Sequence, residues 1–179
     1  MDTLPQLLMH NASAIPGRAA LREKSRGIWQ TLTWGALAQE VRALACAMST
    51  AGVQRGEYEN QEQVDKLLTA SAQCPTIRLI IYDDTIGMRH YTQAHVQAYD
   101  ALLTQGREGL AKAHGHLDSE LSCGKASDPA ALFFTSGTTG PSRGVLHSHG
   151  ALIDRARAAV AIDGLTQNDT SVAYLPPAW

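Results

Sequence analysis

Thr135-Ser136-Gly137-Thr138-Thr139-Gly140-Pro141-Ser142-Arg143-Gly144 is the stretch on which the reading of this 179-residue chain turns. Gly137 and Gly140 lack a Cβ, so the backbone there can take positive φ and turn its N–H groups toward an anion. Ser136, Thr138 and Thr139 add hydroxyl donors. Arg143 adds a permanent charge and a fork of donors suited to phosphate oxygens. The composition is that of a phosphate cradle, although a plain surface loop between two strands uses the same residue types. Other phosphate motifs fail: Ser142 stands five residues after Gly137, where Walker A needs Gly followed by Lys-Ser/Thr. No Gly-x-Gly-x-x-Gly dinucleotide fingerprint occurs.

The flanks of the loop are regular. Ala130 to Thr135 reads as an apolar strand and Gly144 to His147 as a second. Gly150 to Ile162 has helical spacing through Leu152, Ala156, Ala159 and Val160, and Gly164 stops it. Thr170 to Leu175 reads as a further strand before Pro176-Pro177. Strand, loop, strand, helix, strand is an α/β pattern.

Upstream, Thr3 is a candidate N-cap for a short helix with Pro5 in its first turn. After the Ile15-Pro16-Gly17 turn, Ala20 to Lys24 and Ile28 to Thr33 form a hairpin pattern around Ser25-Arg26-Gly27. Trp34 to Thr50 is an amphipathic helix by the recurrence of Leu37, Val41, Leu44, Ala45 and Met48, with Gly52 as its stop. Val53 to Glu57 then reads as the run-in to a buried strand, but no apolar strand follows. Tyr58 to Gln63 leads straight into another helix, with Val64, Leu67 and Leu68 on one face and Cys74-Pro75 as its end. Ile77 to Tyr82 is a strand closed by Asp83-Asp84, and two helical pieces are expected at His95 to Thr104 and Arg107 to Lys112.

Leu132 to Arg143, LFFTSGTTGPSR, resembles the signature loop of the adenylate-forming superfamily, which contains acyl-CoA synthetases, luciferases and peptide-synthetase adenylation domains. Its continuation, Gly144-Val145-Leu146-His147-Ser148-His149, matches the family's Gly-Val and Ser-His pair at the start of a helix. At ~7% usage per letter, Thr-Ser-Gly-Thr-Thr-Gly has chance odds on the order of 10⁻⁵ in a chain of this length. Trp34 to Glu57 resembles the family's helix and Gly-x-x-x-Gly-Asp run, with Glu57 in place of Asp. Gln61 to Leu68, Arg78 to Tyr82 and Tyr174 to Trp179 are similar to the long-chain fatty acyl-CoA branch.

The resemblance implies an α/β fold: part of the large N-terminal domain of an acyl-CoA synthetase, a mostly parallel sheet with flanking helices. It implies that residues 1–179 are a partial AMP-binding domain, with a junction near 57/58 where relatives have a further strand, helix and strand. It implies ATP-dependent activation of a long-chain fatty acid to the acyl-adenylate and then to acyl-CoA, with Mg²⁺ and with CoA as co-substrate. Thr135, Ser136, Gly137, Thr138, Thr139, Gly140 and Arg143 would hold the outer phosphates, and Trp179 resembles the aromatic position beside the substrate. Arg143 replaces the more usual Lys. The family's adenine, ribose and Mg²⁺ motifs and its catalytic Lys are expected beyond Trp179, so no catalytic or metal-binding residue is assigned. A non-catalytic remnant with at most weak ATP binding is the alternative expectation.

The small-molecule partners, ATP, a fatty acid and CoA, are what the resemblance implies, and composition argues against other classes. With 15 basic against 17 acidic side chains and a net charge of −2, the chain lacks the basic face of a nucleic-acid binder. No apolar run reaches the ~18 residues of a membrane span, and no signal peptide is visible, so the expected place is cytoplasmic, at most peripheral to a membrane. Cys46, Cys74 and Cys123 form no Cys-x-x-Cys and read as reduced structural thiols. His114-Gly115-His116 and His147-Ser148-His149 lack a Cys or carboxylate at ligand spacing, so they read as helix-opening or exposed histidines. Asp83-Asp84 reads as a strand-ending turn, and Arg155 and Arg157 as a solvated helix face. Oligomeric state is not readable from the sequence.

Overall fold

Thr3-Leu4-Pro5-Gln6 opens the first helix, α1 (Leu4–Ala14), by reciprocal capping. The Thr3 hydroxyl accepts from the Gln6 N–H at 3.3 Å, while Gln6 Oε1 accepts from the Asp2 N–H at 2.8 Å. In the computed structural model, the described residues are 1–52, 61–71, 77, 79–83, 85–134 and 143–173. They divide into two compact units, residues 1–7 with 123–179 and residues 8–122.

The larger unit begins with an antiparallel hairpin, β1 (Ala19–Ser25) and β2 (Ile28–Thr33). Its two-residue turn has positive φ at both Arg26 (48°) and Gly27 (82°), the sign pattern whose twist matches the flanking strands. Helix α2 (Trp34–Thr50) follows at once. The Thr33 hydroxyl caps it through the Ala36 N–H, and the chain leaves it at Gly52 with φ +70°.

Helix α3 (Gln61–Ser71) and strand β3 (Ile80–Tyr82) form the centre of this unit. Ile80 is fully buried with Val64 of α3 and Met88, while Leu79 and Ile81 pack with Ala47 of α2 and Leu102. A strand apolar on both faces and covered by helices on both is the local signature of an α/β layer. Strand β4 (Val96–Ala98) runs parallel to β3, with Ile80 opposite Val96.

Helix α4 (Tyr99–Cys123) is continuous where two pieces were expected. Gly106 falls between the two expected pieces and Gly109 inside the second, although a glycine inside a helix costs about 1 kcal/mol relative to Ala. Their reason is packing. A Cβ at Gly106 would overlap the Ala43 carbonyl, and one at Gly109 would come to 2.9 Å from Cys46 Sγ. The two glycines let α4 lie against α2, and Arg42 bonds Asp118 at 2.8 Å between the same helices.

In the smaller unit, β5 (Pro129–Phe134) pairs antiparallel with β6 (Gly144–Ser148), and α5 (His149–Asp163) follows. Ser148 caps α5 through the Ala151 N–H, and Gly164 ends it with φ +62°. The α/β class stands, but the described strands form three two-stranded sheets, two antiparallel and one parallel, rather than a mostly parallel sheet. Connection length is the reason. Residues 26–27 and 135–143 are too few for the dozen or more that a parallel crossover needs, whereas residues 83–95 suffice. The expected strand from Thr170 is also corrected: residues 170–173 are exposed and pair with no strand among the described residues. The junction near 57/58 and Cys74-Pro75 lie outside the described residues.

Candidate functional site

The candidate site is the connection between β5 and β6. Phe134 pairs with Gly144 across the hairpin, so the two ends of residues 135–143 are held one ladder rung apart. Gly144 has a steric reason to be glycine: a Cβ there would approach Leu132 Cδ1 at 2.9 Å. Thr135, Ser136, Gly137, Thr138, Thr139 and Gly140 lie outside the described residues, as does Trp179. Arg143 is described. It is exposed and immediately precedes the first residue of β6, so the hairpin base positions its backbone.

The base itself is tied on three sides. The His149 N–H donates to the Asp128 carbonyl at 3.0 Å, and the Gly150 N–H to the Ala126 carbonyl at 2.8 Å. These join the start of α5 to the turn that feeds β5, and the Asp128 carboxylate closes that turn on the Lys125 N–H at 2.9 Å. The third tie was not readable in advance. His149 Nδ1 accepts from the Leu4 N–H at 3.3 Å, and Gln6 Nε2 donates to the Gly124 carbonyl at 3.2 Å. Thr3 beside them is 3% exposed. The first residues of the chain are thus part of the unit that carries the loop, across 145 positions of sequence that no local signal spans.

His147 and His149 have structural partners. An Nδ1 that accepts from a backbone N–H places the proton of neutral His149 on Nε2. His147 meets the Phe133 ring edge-on at 5.4 Å between centroids. Among the described residues, no three His, Cys, Asp or Glu side chains gather as a metal-binding group. Asp169, in the turn after α5, has its carboxyl held below the usual range by hydrogen bonds from the Thr166 N–H and hydroxyl at 2.6 and 2.8 Å. An open cavity of about 590 Å³ in the larger unit is lined by Tyr82, Thr85, Ile86, Gly87, Met88 and Arg89.

The family model described as AMP-binding enzyme matches residues 58–179, more than half of the chain. Long chain acyl-CoA synthetase 7, peroxisomal, of Arabidopsis thaliana is 32% identical over 115 residues, 62% of this chain and 15% of that protein. Acyl-CoA ligase 891, peroxisomal, of Penicillium brevicompactum is 36% identical over 68 residues, 38% of this chain and 9% of that one. The chain thus spans at most about 16% of the length of the curated relatives it matches. Among solved structures, a fatty acyl-adenylate ligase from L. pneumophila, in complex with acyl adenylate and pyrophosphate, superposes with a TM-score of 0.68 at 16% identity. That match covers 99% of this chain and 36% of that chain. Acetoacetyl-CoA synthetase from Streptomyces lividans gives 0.69 at 14% identity, covering 99% of this chain and 35% of that one. These two likenesses show a shared fold. Because the family model matches more than half of the chain, over a range that includes β5, the loop, β6 and α5, the chain belongs to the AMP-binding enzyme family.

Proposed function

We propose that this chain carries the outer-phosphate cradle of an ATP-dependent, AMP-forming ligase that activates fatty acids. The observation that carries the reading is the Thr135–Arg143 loop itself, inside the family match and strung between the paired ends of β5 and β6. In the proposed reaction a carboxylate oxygen attacks the α-phosphorus of ATP, and the bond to the bridging oxygen breaks, releasing pyrophosphate. The CoA thiolate then attacks the acyl carbon and AMP leaves. The part assigned to this chain is positioning. Backbone N–H groups at Gly137 and Gly140, the hydroxyls of Ser136, Thr138 and Thr139, and the Thr135 position hold the β- and γ-phosphates. That keeps the leaving group in line and spreads its charge, with Arg143 as the cationic contact.

A long-chain acid is the finer proposal, supported by the names of the Arabidopsis relatives. CoA and Mg²⁺ belong to the same proposal, as does Trp179 beside the substrate. So does a partial domain with a junction near 57/58, in favour of which the family match begins at Tyr58. The place of action we propose is cytoplasmic; the relatives are named for the peroxisome, and fractionation of cells expressing the chain tests the assignment. Among the described residues no helix is long and apolar enough to cross a membrane.

The test is ATP binding by equilibrium dialysis to the chain and to Gly137→Val and Gly140→Val. Strain at positions needing positive φ is on the order of one to a few kcal/mol, so affinity should fall about tenfold or more while the circular dichroism spectrum is kept. Unchanged affinity in both variants rejects the loop as the phosphate site. A second reading is a non-catalytic chain with at most weak ATP binding. ATP binding without fatty-acid-dependent pyrophosphate exchange is its signature.

A further inference from the structure

The tip of the β1–β2 hairpin carries large apolar side chains in water: Ile28 and Trp29 are each 65% exposed and Leu21 58%. An indole this exposed at a rigid two-residue turn is poorly placed for a core and well placed for an interface, where its apolar ring and polar N–H suit different surroundings. The antiparallel register sorts the neighbouring charges. Lys24 lies opposite Trp29, Arg22 opposite Thr31, and Glu23 opposite Gln30. Successive residues of a strand point to opposite faces. Arg22, Lys24 and Trp29 therefore share one face, and Glu23, the tip's single carboxylate, shares the other with Leu21 and Ile28. Arg26 stands in the turn. Among the described residues no ion pair joins Arg22, Lys24 or Arg26 to a carboxylate.

We propose that this hairpin tip docks on an anionic phospholipid surface. Trp29 enters the headgroup–acyl boundary, and Arg22, Lys24 and Arg26 stand over the lipid phosphates. Charge complementarity selects the partner. The chain as a whole is acidic, at −2, so the attraction is local to a face that carries cations and an indole and no carboxylate. Tryptophan concentrates at membrane–water interfaces, and clustered Lys and Arg side chains are drawn to anionic headgroups. The depth is shallow by necessity, because the outer edges of a two-stranded ribbon keep unpaired backbone groups that hydrocarbon would not satisfy. A second copy is a poorer occupant, since a symmetric tip-to-tip contact sets Arg22 and Lys24 against their own counterparts.

Co-sedimentation of the full chain with vesicles tests this, using phosphatidylcholine alone and phosphatidylcholine with one-third phosphatidylglycerol. The expected result is binding to the mixed vesicles only, weakening as salt is raised. Arg22→Gln and Lys24→Gln each lower it about fivefold. Trp29→Ser lowers it at least about tenfold, with an unchanged melting temperature and unchanged ATP affinity. ATP affinity is measured separately, so failure of the phosphate-loop reading leaves this result standing, and the reverse also holds. Equal binding to both vesicle types, equal binding of Trp29→Ser and the parent, or no binding overturns the proposal. So does a dimer in sedimentation equilibrium that Trp29→Ser dissolves in the absence of any vesicle binding.

Discussion

Arg143 stands one residue before Gly144, where β6 begins, so its backbone position follows from the hairpin. If its proposed contact is to the outer phosphates, Arg143→Ala weakens ATP binding more than AMP binding. Arg143→Lys restores much of the loss because a cation remains. Titration calorimetry with both nucleotides decides it, and equal losses for ATP and AMP move Arg143 away from the β- and γ-phosphates. Gly106 and Gly115 make a matched pair on one helix. A Cβ at Gly106 meets the Ala43 backbone, while at Gly115 nothing lies within 4 Å. Gly106→Ala should lower stability by about 1–3 kcal/mol through overpacking. Gly115→Ala should raise it by up to about 1 kcal/mol through helix propensity. Urea midpoints at constant m-value read both changes. Both residues look alike in the sequence; only the helix packed against one of them separates their roles.

Local chemistry makes several elements readable in the sequence: Gly52 stops α2, Gly164 stops α5, and Arg26-Gly27 marks the first hairpin. The structure adds the caps at their starts, Thr33 for α2 and Ser148 for α5. Helix α4 begins at Tyr99, which packs against the cluster of Ala47, Leu79, Ile81 and Leu102. Burial, then the negative charges of Glu40, Asp83 and Asp100, push its hydroxyl pKa above 10.0, against the opposing Arg107. The folded state therefore keeps a proton that the unfolded chain loses above pH 10. Stability from this group is fully present below that pH and declines as pH rises toward the raised folded value. Tyr99→Phe should flatten the alkaline limb of a melting-temperature profile; an unchanged limb would show that Tyr99 is not its source. Strand β4 was missed because Val96–Ala98 is three residues long, with no alternation to read, and its pairing to β3 comes from a segment 16 positions away.

At the scale of the whole molecule, the exposed surface of β5 and β6 bears on behaviour in solution. Leu132, Phe134 and Leu146 share one face and are 51%, 68% and 63% exposed, and Phe133 and Val145 share the other at 54% and 43%. Strands apolar on both faces belong inside a covered sheet, and an open edge beside them promotes association. The 179-residue chain should therefore self-associate in sedimentation velocity, and Phe134→Lys with Leu146→Lys should shift it toward monomer. A parent chain that stays monomeric at high concentration contradicts this. The sequence by itself determined the α/β class, the limits of α2 and α5, the first hairpin turn and the family, because caps, turns and the loop motif are chemistry of adjacent residues. Tertiary structure decided the rest. It made α4 one helix through the fit of Gly106 and Gly109 to α2, and it tied Leu4 and Gln6 to the base of the loop hairpin. Those outcomes depend on surfaces that exist only after distant segments meet, and no periodicity along the chain encodes which segment the partner will be.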